Sequence, residues 1–150
     1  MKASLILADA AQADPRGKLH ALGLGWSVTS TPTPPMGLVV LVDCPWDQTN
    51  VKHQMTIDLV DADGHPVTLQ TDAFGNPLPA VHIEADFEVG RPPGIPAGTP
   101  QRQVLDINIG PGFPLTPGQK YEFRLSIDGE PMENWQATFL IRPNPPSFPA

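Results

Sequence analysis

The sequence predicts an all-β sandwich in a single domain, and three observations carry that expectation. Several segments alternate apolar and polar residues with period two. Turn chemistry recurs between them at short intervals. The 20 prolines of the 150 residues punctuate these segments and do not interrupt them. Proline lacks an amide donor and fixes φ, so it is excluded from helix interiors and central strands. After Pro15 the prolines leave eight windows of nine or more residues (16–31, 36–44, 46–65, 67–76, 80–91, 101–110, 118–130 and 132–142), and each holds an apolar pattern.

In chain order, residues 3–8 read as a first strand, followed by the turn Asp14-Pro15-Arg16-Gly17. Leu22, Leu24, Trp26 and Val28 alternate with small residues and predict a second strand over 22–28, closed by the Thr/Pro loop 29–35. Residues 37–42 (GLVVLV) are apolar throughout after the glycine, which predicts a strand covered on both faces. Met55, Ile57 and Leu59 mark the next strand, Asp63-Gly64 a hairpin turn, and 67–71 its returning strand. Val81, Ile83, Ala85 and Phe87 alternate with His82, Glu84, Asp86 and Glu88; a Gly/Pro loop follows over 90–100, then Leu105, Ile107 and Ile109. The last hairpin carries Tyr121, Phe123, Leu125 and Ile127 out, turns at Asp128-Gly129, and returns with Trp135, Ala137, Phe139 and Ile141. The sum is about nine short strands over 1–142 and a Pro-rich extended tail over 143–150.

Leu115-Thr116-Pro117-Gly118-Gln119-Lys120-Tyr121 resembles the tyrosine corner of immunoglobulin-like and fibronectin-like sandwiches, in which a tyrosine opening a late strand bonds back to upstream backbone. A wider resemblance rests on Leu7-Ala8-Asp9-Ala10-Ala11, Gly17-Lys18-Leu19 and Leu22-Gly23, then Asp61 to Gly64, then Gly118 before Tyr121. With these residues the chain resembles a family of small uncharacterised bacterial proteins, mainly actinobacterial, with an A-D-A … G-K-L … L-G start. In this chain Gln119 and Lys120 add one residue between the glycine and the tyrosine. The resemblance implies a domain of unknown function and transfers no catalytic residue.

Composition excludes several function classes. The net charge of −7, with nine dispersed Lys and Arg, disfavours nucleic acid and anionic membrane surfaces. Cys44 is the only cysteine, so disulfides, thiolate clusters and redox pairs are absent. That absence, with an N-terminal apolar run too short for a signal peptide, predicts a cytoplasmic protein.

No candidate chemistry outweighs its plainer reading. Asp61, Asp63 and Gly64 suggest calcium, but the further ligands of such a loop are missing, and a hairpin turn explains them. His82, Glu84 and Asp86 share a strand face and could hold a metal; with Glu88 they read as a solvated face. Cys44 could be a nucleophile, but no helix N-terminus or cation activates it, and Asp43 beside it opposes the thiolate. Trp26 and Trp135 fall on apolar strand faces, whereas Trp46 lies between strands in Cys44-Pro45-Trp46-Asp47 and is the candidate exposed anchor.

The expected function is a non-enzymatic module acting through protein–protein contact, without cofactor or metal. Trp46, Pro45, Arg91, Pro92, Pro93 and Ile95 are the expected contact residues, within the loops 29–35, 45–49 and 90–100 and the tail. A small-ligand module of carbohydrate type is the alternative, and an enzyme of unrecognised type the third reading. The acidic face of His82, Glu84, Asp86 and Glu88 is the competing surface, suited to a basic partner.

Overall fold

A computed structural model describes residues 1–145, and within β12 it describes the side chains of 131–135 no further, so the expected placement of Trp135 and the end of the tail lie outside the described residues. The order is β1 (Lys2–Ala8), β2 (Ala10–Ala13), β3 (Leu19–Leu22), β4 (Val28–Thr29), β5 (Met36–Cys44), a 3-10 turn (Trp46–Gln48), β6 (Lys52–Asp61), β7 (Thr68–Thr71), β8 (Pro77–Pro79), β9 (His82–Glu88), β10 (Gln101–Ile109), β11 (Lys120–Ile127) and β12 (Glu130–Ile141). A three-stranded sheet, β1-β5-β10, packs on a five-stranded sheet, β4-β12-β11-β6-β9; the β2–β3 and β7–β8 hairpins stand apart from both. The fold is an all-β sandwich.

The period-two patterns decide which side chains meet. Leu5 and Leu7 of β1 and Leu38, Val40 and Val42 of β5 face Ile57, Leu59, Phe123, Leu125 and Ile141 of the opposite sheet in one core. Phe139 stacks on Phe123 and Tyr121 at 5.6 and 6.0 Å, and Trp26 meets it edge-on at 5.4 Å. Each fully buried side chain of this size contributes about 1.5–3 kcal/mol.

Strand β5 is dry on both faces, as its sequence predicts. Its odd-numbered face is covered by the β2–β3 hairpin, where Ala8, Ala11 and Val39 form a second small cluster. A Cβ on Gly37 would lie 3.1–3.2 Å from the Ala10 backbone, so the glycine lets β2 cross closely over β5. Asn108 of β10 clasps the hairpin from the other side, accepting from Ala11 N at 3.1 Å and donating to Ala11 O at 2.8 Å.

This hairpin replaces the strand expected over 22–28. Leu22 ends β3, Gly23 and Gly25 take φ of 63° and 87°, and Leu22, Leu24 and Val28 are exposed. The Leu/Gly alternation does not form a pleat; left-handed glycines break the extension, and only Trp26 turns inward, donating to Ala8 O at 2.8 Å. Strand β2 (AAQA) has little strand propensity and forms because of what it covers. A second correction concerns the strand expected over 67–71. Its start returns along β6, with Pro66 bridged to Val60 and Val67 N donating to Leu59 O at 3.1 Å, but 68–71 pair with β8, which consists of Pro-Leu-Pro, tolerated because it is a free edge. Twelve strands among the described residues therefore stand where about nine were expected.

Three hairpins share one turn. Asp14, Asp61 and Asp72 each accept, through Oδ1, the amides two and four residues on, at 2.8–3.0 Å. In each, the glycine three residues after the aspartate has a φ of 80–82° and donates to the aspartate carbonyl. Asp128-Gly129 is different, a two-residue turn with φ of 53° and 78° between paired Ile127 and Glu130. The corner forms as the motif predicts, with Thr116 N donating to the Tyr121 hydroxyl at 2.9 Å.

Replacing Tyr121 by Phe should therefore cost about 0.5–1.5 kcal/mol, the net worth of one such bond. Chemical denaturation checks this, and an unchanged midpoint would remove the corner from the list of stabilising contacts.

Candidate functional site

The connections after β5 and β9 meet the β11–β12 turn at one end of the sandwich. Cys44 pairs with Gln101 and Lys52 with Glu88, Asn50 N after β5 donates to Val89 O after β9 at 2.8 Å, and Asp128 N donates to Gln54 O at 2.8 Å. Residues 45–51, 89–100 and 128–129 crowd this end.

Trp46 opens the 3-10 turn and is half-buried. Its carbonyl accepts from Thr49 Oγ1 and Arg91 Nη2, both at 2.6 Å, and Arg91 Nε donates to Thr49 Oγ1. The Arg91 guanidinium carbon lies 3.9 Å from the centre of the Trp46 ring, a cation–π contact. Arg91 thus fastens the root of the 90–100 loop to the 3-10 turn. Beyond it Pro92, Pro93 and Ile95 are exposed, with Ile95 36% accessible. Pro45 is half-buried and its carbonyl accepts from Gln48 N at 2.9 Å. Trp46, Pro45 and Arg91 are brought together; Pro92, Pro93 and Ile95 extend outward from them.

One buried polar side chain of this end is not singled out by the sequence. His53 is buried, and its ring nitrogens lie 2.7 Å from Asp128 Oδ2 and 2.7 Å from Gln48 O. Its signal was available: His53 occupies the same strand parity as Met55, Ile57 and Leu59, so its ring must point inward.

The other candidates resolve into structural roles. Loop 29–35 is pinned at buried Thr33, whose backbone pairs with Gly112 and Phe113 and whose hydroxyl accepts from Phe113 N. Cys44 is fully buried, burial pushes its thiol up, and Asp47 adds to that shift. Asp43 instead pairs with Arg102 at 2.9 Å. On the outer face of the five-stranded sheet, His82 donates to Asp58 and Glu84 at 2.5 and 3.0 Å, and Asp86 pairs with Lys52 at 3.1 Å. The Asp58 bond and then the Glu84 bond raise the His82 pKa, and both ring nitrogens are engaged by carboxylates.

Ligand atoms of Asp61, Asp63 and His65 lie within 4.8 Å of one another. Asp61 Oδ1 is already committed to two turn amides, and the same turn forms at Asp14 and Asp72 around Arg16 and Phe74, which are not ligands. The turn accounts for the cluster without an ion. Two open clefts lie elsewhere. One of about 410 Å³ lies between β7–β8 and residues 111–114; the other, of about 530 Å³, separates β2–β3 from β10. Neither contains an expected contact residue. No described helix is long and apolar enough to cross a membrane.

A family model described as "Family of unknown function (DUF6941)" matches residues 3–139. The chain belongs to that family. The DUF6941 match spans both sheets, both separate hairpins and the whole crowded end, so Trp46, Arg91 and His53 lie within it. No curated protein and no solved structure matches the chain.

Two outcomes follow from these placements. Cys44 should react with a thiol reagent at least about 10³-fold more slowly in the native protein than after unfolding, since access needs an opening costing several kcal/mol; fast native labelling contradicts the burial. Calcium or a chelator should leave the thermal midpoint unchanged, because an ion bound only by the native turn would shift it by mass action.

Proposed function

We propose that this chain is a non-catalytic sandwich that binds another protein through the end built by the 3-10 turn and the 90–100 loop. The observation that carries the reading is the Arg91 brace. One guanidinium covers the Trp46 ring and bonds both the Trp46 carbonyl and Thr49, so an exposed Pro-rich loop leaves the sandwich from a fixed root. Proline and the brace restrict this segment before any partner arrives, so less conformational entropy is lost on binding. The same brace weighs against the carbohydrate reading, because a guanidinium occupies a ring face on which a sugar would stack. The buried Cys44 thiol, raised in pKa, weighs against a cysteine nucleophile.

A specific observation favours the competing surface. Strand β9 is the free edge of the five-stranded sheet, and the bond from Leu59 N to Val81 O places its odd-numbered residues in the pairs with β6. The amides of His82, Glu84, Asp86 and Glu88 therefore face the open edge, beside exposed acidic side chains. A basic extended segment could add there as a further strand. The same charges also protect an edge from unwanted pairing, which is why this reading ranks second.

Capture of a partner by cross-linking, followed by affinity measurement on variants, separates the two. Trp46→Ala should weaken binding by about 2 kcal/mol or more with little salt dependence. Normal binding by that variant, together with loss on reversing Glu84 and Asp86 to lysine, would overturn the loop reading in favour of the strand edge.

A further inference from the structure

His53 is 6% exposed and its ring lies against Phe87, centre to centre at 5.5 Å. Both ring nitrogens meet acceptors: Nδ1 the Asp128 carboxylate, Nε2 the Gln48 carbonyl, each at 2.7 Å. A neutral imidazole carries a single N–H and would turn a lone pair on one of them. Only the imidazolium donates to both.

We propose that His53 is a proton-operated clamp: charged, it ties the 3-10 turn carrying Trp46 to the β11–β12 turn, and on losing its proton it releases one of the two. The charged groups around it favour the closed form. Asp128 faces it from the β11–β12 turn and Glu88 from β9; the 3-10 turn presents the neutral Gln48 carbonyl. On β6 itself, the neighbouring Lys52 is paired with Asp86. Asp128 holds its place whether or not His53 is charged, because its Oδ1 accepts from Gln54 N at 3.0 Å and its own amide donates to Gln54 O. That Gln54 bond, and then His53, lower its pKa, so the carboxylate stays ionised as the histidine titrates.

Burial works against a charged His53, but the Gln48 carbonyl and then the Asp128 carboxylate outweigh it, and the net shift is upward. The sign follows from the linkage. A raised histidine pKa contributes stability fully present below the unfolded value of 6.5 and lost as pH rises through the folded value. The clamp therefore opens on the alkaline side, the reverse of a histidine that disrupts a fold when it gains charge.

The inference rests on the binding platform only for what the turn serves, and its test needs no partner. Imidazole ¹⁵N NMR of the intact chain from acid to alkaline pH reads the ring directly. Substituting the three exposed histidines in turn (His20→Gln, His65→Gln, His82→Gln) assigns the remaining signal without touching the clamp. His53 should be doubly protonated at about pH 6 and titrate above 6.5. Exchange of the Gln48 and Thr49 amides, corrected for intrinsic base catalysis, should accelerate over the same interval. Asp128→Asn keeps an acceptor for Gln54 N and tolerates positive φ, but removes the charge; it should lower the midpoint by about one pH unit or more. A neutral His53 ring at about pH 6, a midpoint unmoved by Asp128→Asn, or amide exchange blind to the titration would each overturn the clamp, whether or not Trp46 binds anything.

Discussion

The residues of β5 are apolar on both faces, and drying the second face is the constraint on which the rest of the structure depends. One face is covered in the ordinary way, by the opposite sheet. The other needs a separate lid, and the first part of the chain supplies it as the β2–β3 hairpin. This explains residues that carry no chemistry of their own. Ala8, Ala11 and Gly37 are small because two backbones cross there, and Asn108 is a side chain used as a piece of strand, bonding both polar groups of Ala11. Ala8-Asp9-Ala10 and Leu22-Gly23 come together in this lid, with Asp9 N donating to Leu22 O at 2.8 Å.

The aspartate turn is the economical solution to closing hairpins in a chain short of helix. A carboxylate oxygen takes two amides that would otherwise need water, and glycine supplies the left-handed residue. Repeating the device at Asp14, Asp61 and Asp72 has a consequence for function. An acidic cluster at one of these turns is a by-product of how the chain reverses, and carboxylates near Asp61 need no ion to explain them.

The crowded end differs from the rest of the surface in being held by side chains reaching across between elements. Arg91 joins the 90–100 loop to the 3-10 turn, and His53 joins that turn to the β11–β12 turn. Arg91 is directed at the carbonyl that opens the 3-10 turn, and the His53 ring at the one that closes it. That arrangement fixes the base of an otherwise unsupported loop, a property useful for recognition.

What the sequence by itself determined is everything governed by local periodicity and turn chemistry. The strands at Met55 to Leu59 and Tyr121 to Ile127, the two-sided burial of β5, the Asp128-Gly129 hairpin and the Tyr121 corner all follow from side-chain alternation, glycine conformational freedom and a short-range hydrogen bond. Trp46 stood out because no pattern buried it. Only the tertiary structure decided matters that depend on partners distant in the chain. Strand β2 exists because β5 needs a cover, β7 leaves β6 to pair with β8, and the Leu22 to Val28 alternation fails because its glycines are left-handed. Arg91 meets Trp46 across 45 residues, and His53 meets Asp128 across 75. Period-two patterning records which face of a strand is dry; it holds no record of which distant group will meet a buried polar atom on that face.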